Sequence, residues 1–169
     1  VRDKIRAYFH VLGDTKEKLI EGVKNAKRDG FTAVGHLTPF LDEDRSMPYF
    51  KTHVDKMTDA IDTVAMYREV AGKDVDLCIE IHRRLTPAEA VVLGKGIEEF
   101  YPYFIEEPCL PGNVDALLEL KYSTNIPLAT GERIFTKWGF RELIDKRAVS
   151  ILQPDLCHAG GIMEVKKIA

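Results

Sequence analysis

Several protein classes are ruled down by what this chain has little of. Three cysteines, Cys78, Cys109 and Cys157, occur in 169 residues. The odd number and the lack of C-x-x-C spacing argue against a disulfide framework and fit reduced thiols in a cytoplasmic protein. No apolar run approaches the roughly 20 residues that cross a bilayer. The opening Val1-Arg2-Asp3-Lys4 is charged and leads straight into a strand-like run, so neither a signal peptide nor a membrane anchor is expected. Blocks of like charge are missing as well. The 24 basic and 27 acidic residues are mixed along the chain and leave a net charge of -3, without the footprint of a nucleic-acid or membrane-surface binder. Neither G-x-G-x-x-G nor G-x-x-x-x-G-K-[ST] is found, so the glycine-rich phosphate loops of nucleotide-binding sheets are lacking.

What the chain does have is a repeat of carboxylates. Three short apolar runs, Leu77-Cys78-Ile79-Glu80, Tyr103-Phe104-Ile105-Glu106 and Pro127-Leu128-Ala129-Thr130-Gly131-Glu132, each finish on a glutamate, and both steps between the glutamates are 26 residues. That step accommodates one strand, one helix and two loops, the unit of a parallel α/β fold. Neighbouring parallel strands lie about 4.8 Å apart. Glutamates level with one another at strand ends can therefore converge on one divalent cation, and all-oxygen ligation suits a hard ion such as Mg²⁺.

The rest of the chain repeats the unit. Residues 5–12 read as a first strand, followed by a helix capped at Asp14 or Thr15, with Glu17 as capping partner and Leu19, Ile20, Val23 and Ala26 on one face. Residues 31–37 form a second strand, 38–53 a long loop of the kind that carries function, and 54–70 a helix closed by Gly72. In the third strand, alternation puts Cys78, Glu80 and His82 on one face and Leu77, Ile79 and Ile81 on the other. Thr86-Pro87-Ala88-Glu89 is a complete helix start. Further strands are expected at 103–106, 127–132 and 149–153, and further helices at 114–122, at 138–146 and after Gly160-Gly161. Six strands alternating with helices give an α/β fold, and carboxylates at strand ends point to the carboxyl-terminal rim of a (β/α)8 barrel. A closed barrel needs eight strands, so residues 1–169 are expected to be a partial barrel, part of something longer.

The glutamate triad, with Phe104-Ile105-Glu106-Glu107-Pro108, Gly131-Glu132-Arg133-Ile134-Phe135 and the segment from Ile151 to Ile162, resembles the enolase superfamily. Within it the likeness is to the mandelate racemase and muconate lactonizing subgroup and its sugar-acid dehydratases of the galactonate and gluconate type. The resemblance implies Mg²⁺ held by Glu80, Glu106 and Glu132, with Glu80 standing where the family usually has aspartate. It implies His82 as the acid that protonates a departing hydroxyl. Asp155 is implied as the residue that orients a histidine base located after the seventh strand, beyond Ala169; His158 is not that base. The resemblance also implies a capping domain and last barrel strands, which residues 1–169 are expected not to include. The second strand has Gly35-His36-Leu37 where racemases of the subgroup have Lys-x-Lys, which argues against two-base racemisation.

The implied reaction abstracts the proton next to the carboxylate of an aldonate, passes through a metal-stabilised enediolate and loses water to give a 2-keto-3-deoxy acid. Arg133 and Lys137 are candidates to pair with the substrate carboxylate. Alternatives are a catalytically silent metal-binding or assembly module, and a racemase, epimerase or mannonate dehydratase of the same superfamily. The expected partners are a small-molecule sugar acid and further copies in a homo-oligomer, with no nucleic acid and no membrane.

Overall fold

A computed structural model describes residues 3–41 and 51–169. Six parallel strands form one sheet in sequential order: β1 (Phe9–His10), β2 (Ala33–Leu37), β3 (Asp76–Glu80), β4 (Phe104–Glu106), β5 (Leu128–Thr130) and β6 (Ile151–Leu152). Each connection is helical: α1 (Lys16–Arg28), α2 (His53–Ala71), α3 (Pro87–Ile97), α4 (Val114–Ser123) and α5 (Thr136–Asp145). The short α6 (Leu156–Ala159) and α7 (Ile162–Ile168) follow β6. Parallel neighbours throughout and strand order equal to chain order make this an open α/β sheet with the topology of part of a (β/α)8 barrel, as the repeat implied.

The strands are shorter than their apolar runs. β1 pairs only through Phe9 and His10, although residues 5–12 have the composition of a strand. Of the rest of that run, Val11 adds a sheet-like bond, its N–H donating to the Gly35 carbonyl at 3.0 Å. The loop expected at 38–53 lies largely outside the described residues.

Helix starts follow side-chain chemistry. Thr86 accepts from the Glu89 N–H at 3.3 Å while Glu89 accepts from the Thr86 N–H at 2.9 Å, a closed capping box with Pro87 behind it. At α1 the cap is Thr15, and Asp14 instead bonds Lys18 Nζ at 2.6 Å. The anticipated pairing of Asp14 with Glu17 gives way because Thr15 sits one residue nearer the helix. Helix α5 begins two residues ahead of the expected Trp138, which is exposed.

Alternation divides the sheet's two faces. Leu77, Ile79, Ile81, Ile105 and Leu128 join Leu19, Val23, Val64, Leu93 and Leu120 in the main core, between the sheet and its helices. A second cluster gathers Leu117, Phe140, Leu143 and Ile168 around α4, α5 and α7. On the opposite face Cys78, Phe104 and Ala129 pack together with Ile151. That inner face is the floor beneath the glutamates.

Candidate active site

Strand pairing fixes the first two carboxylates. Glu80 lies directly opposite Glu106, two residues above the Cys78–Phe104 pair and so on the same face; both side chains point to the inner face and both are buried. Burial first, then the charge of Glu106, the hydrogen bond between the two and the charge of Glu132 push the Glu80 carboxyl up to about 9. A shared proton lets two adjacent carboxyls occupy one site. Glu80 Oε1 is buried without a hydrogen-bond partner. His82 Nδ1 lies 3.4 Å from that oxygen, within ion-pair range but outside hydrogen-bond geometry.

Glu132 arrives differently. The residue of β5 level with Glu106 is Ala129, so Glu132 stands three residues past the register position despite the equal sequence interval. The backbone bends at Gly131, with φ of 144°, and brings Glu132 close enough for its charge to act on Glu80, Tyr8 and His36. Its carboxylate is bonded to Arg83 Nη1.

Residues with positive φ mark the exits of four neighbouring strands: His36, His82 with Arg83, Glu107, and Gly131. Clustered left-handed residues at one end of a sheet are the strain expected of a functional rim. The turn at His82 and Arg83 also interrupts the alternation, so that His82 is exposed while Arg83 reaches inward. Arg83 Nη2 lies 2.9 Å from His82 Nε2. A guanidinium only donates, so Nε2 carries the lone pair.

Three groups at the site carry no signal in the sequence pattern. Glu107 is completely buried and accepts from Thr130 Oγ1 and from the Gly131 N–H at 3.0 Å, tying the exit of β4 to that of β5. Arg83 Nη1 lies 3.5 Å from the Glu107 carboxylate. On the β1–β2 side the rings of His10 and His36 stack at 4.3 Å, and Tyr8 lies against Gly35, where an added Cβ would come within 2.4 Å of the phenol ring. Burial, with the charges of Glu106, Cys78, Glu80 and Glu132, raises the Tyr8 hydroxyl to about 12, so it keeps its proton and is available as a donor. Burial, then His10 and His82, lower the His36 pKa against the opposing pull of Glu132. That imidazole is the more readily kept neutral.

The remaining candidates make other contacts. Asp155 is exposed and caps α6, accepting from the His158 N–H at 2.8 Å, a bond that holds its carboxyl below the ordinary range. His158 Nδ1 meets the Glu132 carbonyl at 2.7 Å and its ring stacks on Phe135 at 4.9 Å; it supports the turn carrying Glu132. Lys137 lies 3.7 Å from Glu164 and above the Trp138 ring, and Arg133 is exposed.

The donor set suits a hard divalent ion: Glu80 and Glu106 face each other on a buried floor, and one Glu80 oxygen is orphaned there. Among the described residues no three His, Cys, Asp or Glu side chains are arranged to hold a metal ion, with Glu132 turned to Arg83. Among the described residues, too, no helix is long and apolar enough to cross a membrane.

Comparison with known proteins agrees with this architecture. The sequence profile of the enolase C-terminal domain-like family matches residues 23–169. A D-galactonate dehydratase of Cronobacter sakazakii is 37% identical over 173 residues, covering 100% of this chain and 43% of the relative. The mandelate racemase/muconate lactonizing enzyme-like protein of Rubrobacter xylanophilus superposes with a TM-score of 0.88 at 28% identity over 99% of this chain and 47% of that one. The 3,6-anhydro-D-galactonate cycloisomerase of Zobellia galactanivorans gives 0.81 at 32% identity over 97% and 42%. This chain therefore spans less than half the length of these relatives. With the profile covering most of its residues and the strand-end glutamates on the inner face, the chain belongs to the enolase C-terminal domain-like family of the mandelate racemase and muconate lactonizing group.

Proposed function

We propose that this protein serves the Mg²⁺-dependent dehydration of a sugar acid, an aldonate such as galactonate or gluconate, to a 2-keto-3-deoxy acid. The observation that carries the reading is the facing pair Glu80 and Glu106 on the inner rim, with a buried orphan oxygen on Glu80. The galactonate dehydratase relative supports the substrate class. Glu80, Glu106 and Glu132 would hold the ion, which when bound supplies electrostatic stabilisation of the negative charge that develops as the proton next to the substrate carboxylate is removed.

The chain's own residues have separate tasks in this scheme. His82, beside Glu80 and exposed at the rim, delivers a proton to the departing hydroxyl, a service worth about 10² to 10⁴ in rate. Glu80 Oε1 lies 3.4 Å from Nδ1 of that ring and keeps it beside the carboxylate pair. Glu107, anchored by Thr130 and Gly131, keeps the exits of β4 and β5 together and so sets the spacing of Glu106 from Glu132. Asp155 caps α6 at the exit of β6, and in this scheme it orients the histidine base that the resemblance places beyond Ala169.

Because the resemblance puts the base beyond Ala169, turnover is tested on a protein that carries this chain together with the remaining barrel strands: supplied with Mg²⁺ and D-galactonate or D-gluconate it is expected to accumulate 2-keto-3-deoxy acid, and Glu106→Gln to lose at least about 10²-fold in kcat. A second reading is a metal-binding or assembly module without turnover. It is favoured by Arg83, whose guanidinium engages both Glu132 and His82 Nε2. Mg²⁺ binding by that longer protein without product from any aldonate would establish the second reading and defeat the first.

A further inference from the structure

Arg83 is unusual in conformation and in placement. It adopts φ of 64°, directly after His82 at 57°, in the left-handed region that L-residues avoid and glycine tolerates. Its backbone N–H is held by the Glu107 carbonyl at 2.6 Å, which fixes the turn. The side chain is only 13% exposed, and its guanidinium lies amid the acids of the β4 and β5 exits. Nη1 bonds Glu132 and approaches Glu107, and Nη2 bonds His82. Of the three carboxylates expected to share a cation, the third is thus engaged by a positive side chain of the protein itself.

We infer that Arg83 is a resident cation that competes with the metal ion for Glu132, so that loading requires the guanidinium to release that carboxylate. The inference rests on the metal-site reading above. Its physical basis is simple exclusion. A carboxylate oxygen bonded to a guanidinium cannot donate the same lone pair to a metal, and a charge-assisted bond in a half-buried site must be broken before the exchange. The other arm of the same guanidinium donates to His82 Nε2. Arg83 is therefore a positioning residue: it acts through Glu132 and His82.

The test is a Mg²⁺ titration of wild type, Arg83→Gly and Arg83→Lys, read by calorimetry and by the rise in unfolding temperature that a bound ion produces. Glycine removes the guanidinium and accepts φ of 64° without strain, so that variant retains its turn. Arg83→Gly is expected to bind Mg²⁺ about tenfold more tightly than wild type, and Arg83→Lys, which keeps a cation there, to stay nearer wild type. In a Glu132→Gln background the gain from Arg83→Gly is expected to vanish. Equal or weaker binding by Arg83→Gly, or a gain that survives in the Glu132→Gln background, overturns the competition while leaving the metal site standing. No heat and no stabilisation in any of the proteins overturns the metal site itself, and the competition with it.

Discussion

Glu80 shows how burial and a facing carboxylate set the behaviour of a site. Its carboxyl is raised from 4.5 to about 9 by burial and by Glu106 and Glu132. The folded chain therefore keeps a proton that the unfolded chain has released everywhere between those two values. Where the folded state binds more protons, stability falls as pH rises. In chelator, the urea midpoint should decline from pH 5 to pH 8. Glu80→Gln, whose amide can donate to Glu106 at any pH, should flatten that decline and be the more stable protein at pH 8. Parallel slopes for the two proteins would show that Glu80 is not the group responsible. Glu80 and Glu106 were legible in the sequence because both sit inside paired strands, where alternation dictates which way a side chain faces. Arg83 and Glu107 were not. Each follows a strand end in a left-handed conformation, and nothing in an arginine or glutamate announces positive φ. Once the backbone inverts, the parity argument fails, which is why His82 turned outward and its neighbour inward.

Among the elements, the βα-units were readable from their spacing and their helix starts, whereas the strand lengths and the height of the third glutamate were not. The capping box at Thr86 is local chemistry within four residues and so survives any tertiary context. The level of Glu132 depends on a bend. Gly131 leaves β5 with φ of 144°, and a Cβ there would lie 2.9 Å from the Gln153 nitrogen and 3.0 Å from its carbonyl carbon and oxygen. These are backbone atoms of the adjoining β6 exit, already paired through the Gln153 N–H to Thr130 at 3.0 Å, and they cannot step aside alone. Gly131→Ala is expected to cost about 3 kcal/mol or more, combining strain with overpacking. At Gly112, where no atom lies within 4 Å, the same change should stay within about 0.5 kcal/mol. Chemical denaturation of the two variants decides the point. A Gly131→Ala protein as stable as the Gly112 variant would mean that β5 and β6 are not held as close as the register requires.

At the scale of the whole molecule the two ends of the sheet are separable. The carboxyl-terminal end carries the glutamates, the strained exits and the imidazoles. At the amino-terminal end, Arg68 near the close of α2 donates to four carbonyls: Nε to Phe100 at 2.8 Å, Nη1 to Gly72 at 2.7 Å and Val75 at 2.9 Å, and Nη2 to Tyr101 at 3.1 Å. One guanidinium thereby joins the end of α2 to the segments entering β3 and β4. Arg68 lies in step with Met57, Ile61 and Val64 along its helix, where a charge looks misplaced; the fork of donors explains it. Parallel α/β folds concentrate stability at this end and chemistry at the other. Arg68→Met keeps the length and apolar stem but leaves the carbonyls without a charged donor, at a cost of about 2–4 kcal/mol. Mg²⁺ affinity measured on the folded protein should not change, because the lost bonds brace strand entries and not strand exits. A drop in metal affinity alongside the drop in stability would show that strain at the entry of β3 is transmitted along its five residues to Glu80. The division of labour between the two ends would then not hold.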